Sequence, residues 1–200
     1  MIEPCADDDS QPAHERRATG VTLHGVGHSD HPVAALCRLL GDAGVRQVVD
    51  VRRFPVSRRH PQYNLAPLQT ALAGAAIGYS HLPALGGRRS DIDTAIHSNA
   101  GLEDAGLRSY ADYAQTPAFA RAMAELLERT HALPTAMLCA EGDWRHCHRR
   151  IIADHAVHAG IAVCHLAIGR APETAHIDPL AVIAADGTLH YPARQGGLFG

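Results

Sequence analysis

The sequence predicts an α/β domain: a three-layer, mostly parallel sheet of about five strands with helices on both faces. Short apolar segments bounded by glycine alternate with segments whose apolar residues recur at helical spacing. Strands separated by helices pair as parallel neighbours through right-handed crossovers. Each cluster of chemically active side chains also falls just past the carboxyl end of a predicted strand, where open parallel sheets bind ligands.

In chain order, residues 21–26 form the first strand, ended by Gly27-His28-Ser29. Residues 32–43 follow as a helix with Val33, Leu36, Leu39 and Leu40 inward, Asp30 as cap and Gly44 as stop. Residues 45–51 are the second strand, 66–76 a short helix on Leu68 and Leu72, and 78–82 the third strand. Residues 83–116 read as a long excursion, and loops of that length in compact domains usually serve function. Pro117 opens a helix to about His131, capped by Thr116, with Phe119, Met123, Leu126 and Leu127 as its stripe. Residues 135–139 are the fourth strand, 146–159 a helix, and 161–166 the fifth strand. Residues 1–19 read as a disordered leader, 20–177 as the α/β domain, and 178–200 as a hairpin turning at Asp186-Gly187 plus a tail.

Composition narrows the chemistry. All 18 basic residues are arginine, so a phosphate-loop lysine, Schiff-base chemistry and a Ser-Lys dyad are excluded. A net charge of −3 argues against binding by bulk positive charge. No apolar run approaches a membrane span, and the acidic stretch Asp7-Asp8-Asp9 does not suit a signal peptide, so a cytoplasmic location is expected. Five cysteines, an odd number, point to reduced thiols, with Cys37 and Cys164 as small core residues.

The segment 52–64 carries Arg52, Arg53, Arg58 and Arg59 with Ser57 and His60, stiffened by Pro55 and Pro61. Guanidinium forks suit bidentate recognition of phosphate or carboxylate, although some should pair with Asp50, Glu141 or Asp143 as scaffolding. Gly86-Gly87-Arg88-Arg89 adds further guanidinium groups on a turn. Residues 139–150 hold Cys139, Glu141, Arg145, Cys147, His148 and Arg149, and a cysteine between a strand end and a helix start is where a thiolate is stabilised. Cys139 and Arg145 have the C-x5-R spacing of oxyanion-cradling loops, but Glu141, Asp143 and Trp144 oppose an anion inside this one. A metal on Cys139, Cys147, His148 and His28 is weighed and set aside: no C-x2-C pair exists, and adjacent Cys147 and His148 would diverge on a helix. No metal and no cofactor are therefore expected. Tyr110 and Tyr113, three residues apart, are read as packing on one helical face.

Gly25-Val26-Gly27-His28-Ser29, Asp50-Val51-Arg52-Arg53-Phe54-Pro55 with Ser57-Arg58-Arg59 and Pro61-Gln62-Tyr63-Asn64, His81-Leu82-Pro83 with Leu85-Gly86-Gly87-Arg88, and Cys139-Ala140-Glu141 with Cys147-His148-Arg149-Arg150 occur in this order. Together they resemble the family called domain of unknown function 488, across about residues 21–168. Val26 stands where that family usually has Ile, and Trp144-Arg145 falls in a variable stretch. The resemblance implies a bacterial or archaeal cytoplasmic α/β protein and no particular activity.

The expected site is a pocket lined by Arg52, Arg53, Ser57, Arg58, Arg88 and Arg149 for a phosphate-bearing small molecule or nucleic acid. As an enzyme it would be a cysteine-nucleophile hydrolase or transferase, with Cys139 as nucleophile, Glu141 beside it, and His28 or His148 as acid/base. The alternative is a non-catalytic nucleotide- or nucleic-acid-binding module. Its tail, with Gln195, Leu198 and Phe199, is similar to peptides that dock on the DNA sliding clamp.

Overall fold

The computed structural model describes residues 20–89 and 98–193. Six strands form one sheet: β1 (Thr22–Gly27), β2 (Gln47–Asp50), β3 (Gly78–His81), β4 (Thr135–Cys139), β5 (Ala162–Leu166) and β6 (Glu173–Thr174). Their order is β3-β2-β4-β1-β5-β6, and only β6 runs antiparallel to its neighbour. The two-residue β6 is the strand that alternation could not reveal. A separate hairpin pairs β7 (Val182–Ile183) with β8 (Leu189–His190), turning at Gly187 with a φ of 84°.

The side-chain period of two divides the sheet cleanly. Odd-numbered Leu23, Val49, Met137, Cys139 and Val163 face one apolar layer, built with α3 (Ala105–Ala114), α4 (Pro117–Ala132) and α5 (Arg149–His158). Even-numbered Val26, Val48, Ala136, Leu138, Cys164 and Leu166 face the other, built with α1 (Val33–Asp42) and α2 (Leu65–Gly74). Helices thus cover both faces, and no described helix is long and apolar enough to cross a membrane.

Four local expectations are corrected. The excursion over 83–116 contains α3, capped by the Asp104 carboxylate accepting from Leu107 N at 2.8 Å. Asp30 does not cap α1, whose N-cap is Pro32, whereas Thr116 does cap α4 by accepting from Phe119 N. Residues 146–148 precede α5, following a 3-10 turn at Trp144–His146. Cys37, Cys139 and Cys147 are free thiols, but Cys164 is disulfide-linked, so five reduced thiols is not the observed state.

Chain direction reverses at the centre of the sheet. From β1 the chain leaves through α1 to β2, and from β4 it leaves through α5 to β5, in opposite directions and on opposite faces. The crevice between the carboxyl ends of β1 and β4 is therefore the topological switch point, where α/β sheets open a binding site.

Buried histidines make the fold acid-sensitive. Burial lowers His155 to about 4 and His165 to about 3, and the ring nitrogens of His165 have no partner among the described residues. A depressed histidine contributes fully above its unfolded value near 6.5 and loses that contribution as pH falls toward its folded value. Asp154, raised by burial to about 6, acts in the opposite sense and partly offsets the loss. Urea unfolding should therefore show lower stability at pH 5 than at pH 7.5. His155→Gln or His165→Gln should each flatten the dependence by up to about 1.4 kcal/mol per pH unit.

Candidate functional site

Backbone bonds join the β1 and β4 ends: His28 N donates to Cys139 O at 2.9 Å and Ser29 N to Ala140 O at 3.0 Å. Over this seam lies a cavity of about 500 Å³. Arg52, Arg53, Phe54, Val56 and Ser57 wall one side, and Gly87-Arg88 closes the next. The start of α3 contributes Asp104, Gly106, Leu107 and Tyr110, while Cys139, Ala140, Glu141, Cys147 and His148 complete the enclosure. The clusters seen in sequence do converge, but their roles divide.

Arg52 is committed to the scaffold. Its Nε and Nη2 donate to the Asp50 carboxylate, the closest contact being 2.6 Å, and Nη1 donates to Tyr63 O at 2.9 Å. Both residues are buried, so breaking this pair would strand a charge in the core. His28 belongs to the same wall: its Nδ1 donates to Ser29 O, its Nε2 faces Arg52 Nη1 at 3.3 Å, and its ring stacks on Tyr63 at 3.9 Å. Burial lowers its pKa to about 4, so the imidazole is neutral with both nitrogens engaged. Both His28 nitrogens and the Arg52 guanidinium, expected as acid/base and ligand-binding groups, are thus engaged within the wall of the cavity.

Arg149 is buried beneath the floor, donating from Nε to Cys147 Sγ at 3.3 Å and from Nη2 to Glu141 O at 2.5 Å. It orients the 139–147 loop rather than reaching a ligand. Arg58 is exposed and does not line the cavity, and Arg145 turns outward to Asp143 and Glu173. Arg53 and Arg88 remain at the mouth: Arg53 Nη1 donates to Arg88 O at 2.6 Å, and Arg88 sits exposed with a φ of 58°. Ser57 lines the wall while its Oγ accepts from His60 N. Phe54 and Val56, 69% and 70% exposed, form an apolar lip that the arginine pattern alone did not single out. Carboxylate-bearing Glu141 and Asp104 also line the cavity.

At the floor, His148 Nε2 donates to Val51 O at 3.0 Å. That bond fixes the tautomer and leaves the Nδ1 lone pair facing two sulfurs, Cys147 at 3.6 Å and Cys139 at 3.8 Å. Tyr110, donating to Leu85 O, packs its ring 5.0 Å from the imidazole. The hydrogen bond from Cys139 to Cys147, then burial, hold the Cys139 thiol well above its ordinary range. Burial opposes charge on Cys147 too, but the Cys139 thiol and the Arg149 guanidinium outweigh it and hold Cys147 well below that range. Within this pair the shifts run toward the thiolate at Cys147 and toward the neutral thiol at Cys139, the sulfur that the sequence offered as nucleophile. The signal was present, since Cys147 stands two residues before Arg149, but reading 146–159 as helix concealed it.

Two glycines admit this close packing. A Cβ on Gly27 would lie 1.8 Å from Glu141 O, and one on Gly87 would lie 2.8 Å from His148 Nδ1. Gln195, Leu198 and Phe199 lie outside the described residues.

In chelator-treated protein, ultraviolet thiolate absorbance should persist below pH 7 in Cys139→Ser and vanish in Cys147→Ser; the reverse pattern would reassign the charge. Gly27→Ala, which meets rigid backbone, should destabilise the fold by at least about 1–3 kcal/mol. Chemical denaturation checks that value.

Residues 32–156 match the model of a family described as Domain of unknown function DUF488, a span that holds the cavity lining from Arg52 to His148. No curated protein and no solved structure matches the chain. With more than half of its 200 residues matched, the chain belongs to the DUF488 family.

Proposed function

We propose that this protein binds a phosphate-bearing ligand, a nucleotide or the end of a nucleic acid, across the mouth of the switch-point cavity, and acts on it at the sulfur–imidazole floor. The observation that carries this is Arg88. Its guanidinium stands at the cavity rim, exposed, with no side-chain partner among the described residues. Beside it, Arg53 lies 5.6 Å from the Phe54 ring centroid, so a cation and an exposed aromatic face are offered together. Such pairs receive a phosphate and a stacked base, and base stacking tolerates any sequence. Arginine at this rim can take two phosphate oxygens at once, which lysine cannot.

A hydrolase or transferase is favoured over a module that only binds because the floor would be costly to keep for binding alone. It places a low-pKa sulfur, an imidazole nitrogen and a buried guanidinium in contact within one cluster. Direct attack by Cys139 has little support, since its thiol is only 7% exposed and held protonated.

Fluorescence titration with a labelled nucleoside monophosphate and with a 5′-phosphorylated oligonucleotide tests the ligand class. Arg88→Ala should weaken binding by about 10- to 100-fold and Phe54→Ala by about 10-fold. Arg58→Ala, outside the cavity, should leave it unchanged at moderate salt. Full affinity in Arg88→Ala, or equal loss in Arg58→Ala, would remove the proposal.

A further inference from the structure

We propose that Cys139 Sγ, Cys147 Sγ and His148 Nδ1 form a three-ligand site for a soft divalent cation, zinc above all, with its fourth position open to the cavity. The three atoms lie within 4.8 Å of one another, and the imidazole nitrogen is 3.6 Å and 3.8 Å from the two sulfurs. Tetrahedral zinc, with bonds of about 2.3 Å to sulfur and about 2.0–2.1 Å to nitrogen, requires sulfur-to-nitrogen edges of about 3.6 Å. The two sulfur-to-nitrogen edges are therefore already close to the length that a bound ion would impose.

The surroundings fit a ligand set. Metal-bound histidines commonly give their other ring N–H to a carbonyl or carboxylate, which aims the bare nitrogen at the ion. His148 does this through Val51 O. Arg149 donates to Cys147 Sγ, as a partner behind a metal-bound thiolate does. Gly87 keeps the space next to Nδ1 open, because any side chain there would start 2.8 Å from it.

The sequence argument against a metal assumed that Cys147 and His148 project in different directions from a helix. Cys147 instead has extended backbone, φ −118° and ψ 147°, and His148 is the residue before α5. This break lets neighbouring residues aim at one point. Two thiolates would neutralise a divalent ion, and soft sulfur with imidazole favours zinc over calcium or magnesium. Three protein ligands with an open fourth position is the pattern of catalytic rather than structural zinc. Both sulfurs would then be ligands, so chemistry on a phosphate ester would run through metal-bound water instead of a covalent thiol intermediate.

The metal alone is the probe, so the test does not depend on the phosphate proposal. Tag-free full-length protein, stripped with chelator and kept under a non-thiol reductant, is titrated with Co²⁺ and then displaced with Zn²⁺. One equivalent should give a thiolate-to-cobalt charge-transfer band with tetrahedral ligand-field bands, lost on zinc addition. Cys139→Ser, Cys147→Ser and His148→Gln should each weaken binding more than about 100-fold, beyond the usual effect of outer-shell changes. Cys37→Ser, a free cysteine outside the cavity, should bind normally. Circular dichroism identifies any variant that fails to fold; for such a variant, protection of Cys139 and Cys147 from alkylation by one equivalent of Zn²⁺ in the parent chain is read instead. Absence of the charge-transfer band in the parent, its persistence in folded Cys147→Ser, or unprotected thiols at saturating Zn²⁺ would overturn the assignment.

Discussion

The site depends on a single imidazole held at both ends. His148 gives its Nε2 proton to the carbonyl of Val51, at the end of β2, and so presents Nδ1 to sulfurs from the end of β4 and the approach to α5. A neutral imidazole has one donor and one acceptor, so anchoring the donor decides what the acceptor meets. The sulfurs cannot be understood without that anchor. Without it, Cys139 and Cys147 would be two buried thiols under an arginine-lined cleft.

The rest of the architecture serves to bring those three chain segments together. Reversal of connection direction between β1 and β4 opens the crevice, and the register that sets Gly27 opposite Cys139 fixes its depth. Glycine at 27 lets the 139–147 loop cross within contact of β1. The Asp50–Arg52 pair, buried and joined by the Tyr79 hydroxyl and the Tyr63 carbonyl, keeps the end of β2 in place. These charges are satisfied internally, which is why they are read as framework and not as ligand contacts.

Much of this was legible in the sequence because hydrophobic period and glycine punctuation are local. Five strands and the helices between them follow from such patterns, as does the gathering of arginine, cysteine and histidine at one edge. The missed elements failed for physical reasons. The strand Glu173–Thr174 is two residues long and exists only by pairing with β5. The helix α3 did announce itself through Asp104 and the spacing of Leu107, Tyr110, Ala111 and Ala114, but Gly101 and Gly106 broke the pattern around it. The roles of individual arginines were not legible, because Arg52 and Arg88 look alike until burial separates a guanidinium locked onto Asp50 from one standing at the rim. Cys147 was underrated because a turn in place of the first helical residues decides where its sulfur points.

The ring state of His148 tests the account most directly. Long-range proton–nitrogen correlation NMR on selectively labelled protein reports which imidazole nitrogen carries hydrogen. The account predicts an Nε2-protonated ring whose Nδ1 signal is that of an unprotonated nitrogen and shifts when one equivalent of Zn²⁺ is added. A ring protonated at Nδ1 would contradict it, because the lone pair would then face Val51 and leave the two sulfurs without their partner.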